Sequence, residues 1–313
     1  MLRFLLISCL SLWGISAQAQ VQVLTSIKPL QLIAAAIQDG QGEPQVLLPP
    51  GASPHYFVLR PSDAKRLDKA DLFYWIGPDL ENFLPRLLKQ RSQLSVAVQN
   101  LPELQLQYFA EEHQHGHEEE HTEEHEDGLV EHDHNHQPGA VDAHLWLLPH
   151  NARVIAQRMS TDLSKLDPNN ADHYAANLLA FNQRLDRLDQ QLKIQLKPLQ
   201  GKSFFVFHEA FNYFEHAYGL EHAGVFALSG ELQPGAKHVS QMRDRLQQAG
   251  LSCVFSEPPM QPRLAQTLAA GLPVTLAELD ALGSQAPVSA TGYEQLLENL
   301  AEQFSACLSA LNT

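Results

Sequence analysis

Histidine is the residue type to begin with, because neutral imidazole is a preferred protein ligand for zinc. The chain has 313 residues and sixteen histidines. Eight of these fall within residues 111–136, EEHQHGHEEEHTEEHEDGLVEHDHNH, beside eleven carboxylates and no lysine or arginine. Three others stand where an α/β sheet places its chemistry, just beyond the carboxyl ends of strands or in a comparable loop. His55 lies in LLPPGASPHYFVLRPSD, between an expected strand and an expected helix. His144 lies in VDAHLWLLP, directly after the acidic stretch, and His208 follows SFFVF and begins the next helix. Three imidazoles brought together make a site for zinc or another borderline metal, with room for a fourth ligand. His150, His173, His216, His222 and His238 lie on expected helices or loops, with nothing aiming them at a common point.

Positioning such a trio is the task of the surrounding elements. From 21 to 102, VQVLTSI and VLLPP read as strands, and LQLIAAAI as a helix. PSDAKRLDKA reads as a helix opened by Pro61, and ADLFYWIG as a buried strand. Strand and helix in alternation imply a mostly parallel sheet. VDAHLWLLP is expected to resume as a strand followed by a helix. From Pro168 onward, Tyr174, Leu178, Phe181, Leu185, Leu188, Leu192 and Leu196 recur at intervals of three and four, the stripe of one long amphipathic helix. About 30 helical residues reach ~45 Å. A coiled-coil dimer uses the same pattern, but α/β units on both sides favour a rigid strut between two lobes. From 202 to 311 the alternation returns in SFFVFHEAFNYFEHAYGL, GLSCVFSEPP and LPVTLAELDALG. The expected fold is α/β: two similar lobes with mostly parallel sheets, 20–165 and 199–313, joined by a helix over 166–198, with the ligand between them.

The first twenty residues, MLRFLLISCLSLWGISAQAQ, show one basic residue, an apolar run and Ala17-Gln18-Ala19. That is the pattern of a cleaved secretory signal peptide, 1–19, and Cys9 inside the apolar run is poorly placed as a lipidated residue. Export leaves Cys253 and Cys307, which in an oxidising compartment most simply form one disulfide. A loop of about 54 residues closed this way is worth on the order of 4 kcal/mol in the chain-entropy model. Without Arg3, 20 basic against 36 acidic side chains leave −16, of which the histidine-rich stretch contributes −11. Acidity of this kind argues against nucleic acid as a partner, which requires a basic footprint.

Taken together and in order, GASPHYFVLRPSD, ADLFYWIGPDLENFL, the His/acid-rich stretch, DAHLWLLP, KSFFVFHEAFNYF, LQPGAKH and CVFSEPP closely resemble the zinc-binding periplasmic components of ABC uptake systems, the ZnuA-type members of the metal-handling substrate-binding proteins. The resemblance covers essentially the whole exported chain. It implies a periplasmic monomer that binds one Zn²⁺ between its lobes and delivers it to an inner-membrane permease driven by an ATPase. It also implies that His55, His144 and His208 are the ligands and that Cys253 pairs with Cys307. Some zinc-specific members carry a glutamate immediately before the first histidine, and here that place is Pro54. A water molecule remains as a fourth ligand, or Asp280, which matches a ligating aspartate of other members. Manganese-binding relatives typically carry a carboxylate at the place of His208, so the imidazole here favours zinc. Glu209 and Glu257 are expected to orient histidine N–H groups.

Two other classes of function use a similar site. A three-histidine zinc with an open position suits a hydrolase or lyase, although HExxH spacing is absent. A periplasmic zinc buffer or chaperone needs the ion but no permease. The stretch 111–136 has irregular histidine spacing and composition that cannot supply a core, so it reads as a loop: either a solvated acidic loop or a weak, multi-site zinc collector.

Overall fold

The computed structural model describes residues 20–109, 139–226, 236–258 and 263–312. The expected signal peptide and the histidine-rich stretch lie outside the described residues. The first lobe runs β1 (Val23–Thr25), α1 (Lys28–Ile37), β2 (Gln45–Val46), α2 (Pro61–Lys69), β3 (Leu72–Trp75), α3 (Pro85–Leu88) and β4 (Leu94–Ala97). Its four strands are all parallel in the order β2-β1-β3-β4. Parallel strands joined by helices are covered on both faces, which is why Leu72, Phe73, Tyr74 and Trp75 are all apolar and buried.

Two long helices follow, α4 (Pro149–Leu166) and α5 (Ala171–Leu196). The second lobe runs β5 (Phe204–Val206), α6 (Asn212–Tyr218), β6 (Gly224–Val225), α7 (Ala236–Ala249), β7 (Ser252–Ser256), α8 (Arg263–Ala269), β8 (Val274–Glu278) and α9 (Gly292–Leu308). Its sheet is again parallel, in the order β6-β5-β7-β8. No helix among the described residues is long and apolar enough to cross a membrane.

The seven residues of the expected stripe are the seven buried residues of α5. At 1.5 Å per residue its 26 residues span about 39 Å. The stripe faces α1, α4 and α9 rather than a partner chain, so α5 is the spine of a core shared by both lobes. Cys253 on β7 and Cys307 on α9 form a disulfide, stapling the second sheet to α9, which packs against this spine.

One expected strand is corrected. VDAHLWLLP forms no strand: Val141 makes an isolated bridge with Tyr108, and Leu145–Leu147 is a single 3₁₀ turn leading to Pro149 at the start of α4. The run is apolar because it is buried between the lobes, not because it lies in a sheet. The cause of the bend is local. Asp142 accepts a hydrogen bond from the His144 amide two residues on, a turn-forming bond that competes with extended pairing. Likewise α6 begins at Asn212, four residues after His208, so that His208 stands in a connection rather than in the helix.

Candidate metal centre

Each of the three histidines is placed by a different device. His55 lies on the long connection between β2 and α2. Near the start of that connection Pro50 and Gly51 form a tight turn, closed by Ala52 N–H on Pro49 O, with Gly51 at φ 78°. Positive φ at the third place, which glycine supplies, is what a type II turn requires, and proline at the second place suits it. His144 sits at the head of the 3₁₀ turn, and its ring stands against Trp146 at a centroid distance of 5.3 Å. His208 follows β5 in the second lobe.

The three converge. One ligand nitrogen from each of His55, His144 and His208 lies within 4.8 Å of the others, and all three side chains are buried. Ring centroids are 5.6 Å apart for His55 and His144, 5.2 Å for His55 and His208, and 4.9 Å for His144 and His208. Nitrogens on a tetrahedral zinc stand about 3.4 Å from one another, as bonds of about 2.1 Å require, so small side-chain rotations close the trio on an ion.

Carboxylates orient two of the rings. His144 Nδ1 is 2.8 Å from Asp142 Oδ1, the same oxygen that accepts the His144 amide. His208 Nδ1 is 2.9 Å from Glu257 Oε1 at the end of β7. A carboxylate accepting a hydrogen bond from Nδ1–H fixes the tautomer in which Nε2 carries the ligand lone pair. Glu257 thus takes the orienting place expected of it. Glu209 does not show that contact: its Oε1 accepts from Asn212 Nδ2. Asp142 was legible only as the aspartate two residues before His144, a spacing that could have marked it.

The electrostatics follow from burial. Asp142 is pushed up to about 7, chiefly by loss of water. His144 is held well below the usual histidine value by burial and then by the charge of His208. For His208, burial is the largest influence and pulls downward. The charge and hydrogen bond of Glu257, with Asp142 and Glu209 behind it, outweigh burial and raise the group.

Asp280 does not join the cluster. Its Oδ1 accepts Leu282 N–H and its Oδ2 accepts the amide and hydroxyl of Ser284, which turns the carboxylate into its own loop. Next to it, Ala281 O accepts the Trp146 indole N–H at 2.8 Å, and Trp146 O accepts Tyr293 Oη–H at 2.6 Å. These bonds pin the His144 segment against the second lobe.

The chain matches the family model described as ZnuA, zinc-uptake complex component A, periplasmic, over residues 23–307. It is 39% identical to the high-affinity zinc uptake system protein ZnuA of Yersinia pestis, covering 93% of this chain and 92% of that one. The same-named protein of Haemophilus influenzae is 31% identical over 99% of this chain and all of that one. A crystal structure of ZnuA superposes with a TM-score of 0.73 at 25% identity, over 92% of this chain and 99% of that chain. The fold is also that of the periplasmic zinc-binding protein TroA from Treponema pallidum, with a TM-score of 0.74 at 22% identity over 93% and 99% of the two chains. With its model spanning both lobes and the spine between them, the chain belongs to the ZnuA family of periplasmic zinc-uptake components.

Proposed function

We propose that this protein is the periplasmic zinc-binding component of an ABC uptake system, and that it holds Zn²⁺ between its lobes on His55, His144 and His208. The observation that carries the reading is the convergence of three buried imidazoles, two of them oriented by carboxylates. An all-imidazole trio suits zinc better than manganese, which prefers oxygen ligands. With the Asp280 carboxylate engaged by Leu282 and Ser284, a water molecule is the better candidate for the fourth position. The ligands are 8%, 3% and 6% exposed, an enclosed setting that suits cargo rather than a catalytic zinc in need of solvent and substrate access. The partner in this reading is a membrane permease with its ATPase, and the protein acts as a periplasmic monomer exported by cleavage of residues 1–19. Lobes 20–165 and 199–313 flank the linking helix, and the stretch 111–136 serves as a weaker zinc collector.

Release has a physical constraint. Trp146 with Ala281, Tyr293 with Trp146, and Lys28 Nζ with Ser284 O bind the lobes to each other. A wide hinge opening breaks all three, so the ion leaves by a small tilt or by movement of a ligand loop. The test is calorimetric zinc titration of the exported chain, of the chain lacking 111–136, and of His144→Ala. One tight site that survives the deletion and is lost in His144→Ala supports the reading. Tight binding abolished by the deletion and kept in His144→Ala overturns it.

A further inference from the structure

The two chain ends that bracket residues 110–138 are built into a short antiparallel stem. Phe109 N–H donates to Ala140 O, Gly139 N–H to Phe109 O, and Asp142 N–H to Gln107 O, around the Tyr108–Val141 bridge. The stem ends at Asp142, whose carboxylate orients His144. On one side it is tied to its own lobe: Gln105 N–H donates to Asn151 Oδ1, and Asn151 Nδ2 donates to Gln105 O and Leu145 O. On the other side stands Tyr213, on α6 in the second lobe, fully buried. Its hydroxyl accepts from Gln107 N–H at 2.9 Å and donates to Asp142 O at 2.8 Å, touching both arms of the stem at once.

We propose that Tyr213 is a positioning residue for zinc capture, a clamp through which the second lobe holds the stem, and with it Asp142 and the His144 imidazole, in register with His208. The inference rests on the three-histidine reading. The hydroxyl is the single group that meets both arms of the stem among these contacts, and α6 is the same element that follows His208. One short path therefore links the ligand loops of the two lobes: His208 to α6, Tyr213 to the Asp142 backbone, and the Asp142 carboxylate to the His144 ring. Without the hydroxyl, Gln107 N–H and Asp142 O lose a buried partner, and Asp142, whose carboxylate orients His144, loses its backbone tie to the second lobe. Linkage makes the effect reciprocal: a clamp that favours zinc must itself be tightened by zinc.

The experiment compares wild type, Tyr213→Phe, Tyr174→Phe and His144→Ala. Tyr174 is a useful control because its buried hydroxyl donates to Asp167, away from the cluster. Zinc affinity is measured by competition with a chelator, site geometry by the visible spectrum of the Co²⁺-loaded protein, and folding by thermal denaturation without metal. Tyr213→Phe should weaken zinc about tenfold and change the cobalt spectrum. Tyr174→Phe should lower the melting temperature while leaving affinity and spectrum unchanged. If Tyr213→Phe binds zinc and cobalt as wild type does, the clamp is overturned, whatever its melting temperature. If His144→Ala retains wild-type affinity, it is the ligand reading that fails. Should Tyr213→Phe not fold, amide exchange in wild type decides: zinc must slow exchange of the Gln107 amide, and an unchanged rate overturns the proposal.

Discussion

The two lobes share a framework and differ at the strand ends. Thr25 on β1 faces Tyr74 on β3, as Val206 on β5 faces Phe255 on β7. The next residues repeat the match, with Ser26 N–H on Tyr74 O and Phe207 N–H on Phe255 O. Counting on, Ile27 in the first lobe stands where His208 stands in the second, and Ile76 where Glu257 stands. Both isoleucines are buried apolar core. In the first lobe α1 begins at once after Ile27, whereas in the second α6 waits until Asn212. One topology therefore supports either a sealed core or a ligand with its orienting carboxylate, and two substitutions with a short extension make the difference. The first lobe delivers its ligands from elsewhere: His55 from beyond its edge strand, and His144 from the turn that follows the stem.

The largest effect tests that equivalence directly. Replacing both members of the pair, His208→Ile with Glu257→Ile, copies the first lobe into the second. Removing both together avoids stranding a buried charge, which is what makes single removal from such a pair costly. The variant should fold with unfolding free energy close to wild type and lose roughly 3–4 kcal/mol of zinc binding, about a quarter of the total that a four-ligand site supplies. Calorimetry and urea unfolding measure the two quantities. A variant that unfolds shows that the lobes are not equivalent at these positions.

Packing sharpens the contrast. In the first lobe both faces of the sheet belong to one core, which continues through α4, α5 and α9. In the second lobe the strands divide: Phe204 and Val206 face the shared core, while Phe205 and Phe207 face a smaller one with Phe226, Met242, Leu246, Val254, Ala265 and Leu268. The outer layer of α7 and α8 is thus held by its own satellite core. Leu246→Ala should cost about 3 kcal/mol, as buried leucine truncations do. Native-state hydrogen exchange should place that loss in α7 and α8, leaving β3 and α5 protected. Leu300→Ala on α9, in the shared core, should instead lower protection in both lobes. Uniform loss in Leu246→Ala contradicts a separate outer layer.

How far this was legible in the sequence depends on the range of the signal. The α5 stripe is a repeating local pattern, and all seven expected residues are buried. The alternation of strand and helix fixed the fold class because parallel sheets demand it. The convergence of His55, His144 and His208 was readable as three strand-end or loop positions, although nothing local states the distances. VDAHLWLLP misled because four apolar residues in a row, Leu145 to Leu148, look alike in a strand and in a 3₁₀ turn buried between lobes. Asp142 was missed because its role depends on a bond to the ring two residues away, and nothing local in the sequence shows that the Asp280 carboxylate meets Leu282 and Ser284 in its own loop. The division of β5 between two cores is a tertiary fact that alternation alone does not reveal.

A smaller effect separates the two orienting carboxylates. Glu257 raises His208, so in the absence of zinc that ring keeps its proton to a higher pH than an ordinary histidine. Zinc must displace the proton, and affinity falls as pH drops through that raised value, beginning above about 6.5. Glu257→Gln removes the largest charge that raises His208 and leaves burial opposed only by Asp142 and Glu209, which moves the ring's titration down. The variant should bind about tenfold less tightly at high pH. Its acid loss should begin at lower pH, so the two affinity curves approach each other on acidification. Parallel curves show that Glu257 does not set the protonation of His208.

The smallest effect concerns a carboxylate–histidine pair outside the cluster, the second lobe's Glu215 and His222. Glu215 accepts both the amide and Nδ1 of His222 at 2.9 Å. Burial is the largest influence on His222 and lowers it, but the hydrogen bond and charge of Glu215, with Glu209 and Glu221, raise it overall. A histidine raised in the folded state holds a proton that the unfolded chain releases near 6.5. Its contribution is therefore complete below about 6.5 and is lost as pH rises through the folded value. Urea unfolding of metal-free protein between pH 6 and 8 should show this decline, and His222→Gln should make it shallower, with His208 and Asp142 supplying part of the remaining slope, without changing zinc affinity at pH 8. If His222→Gln leaves the slope unchanged, the Glu215–His222 pair contributes nothing to it, and the decline belongs to other buried groups such as His208 and Glu81, the latter pushed up to about 7 by burial.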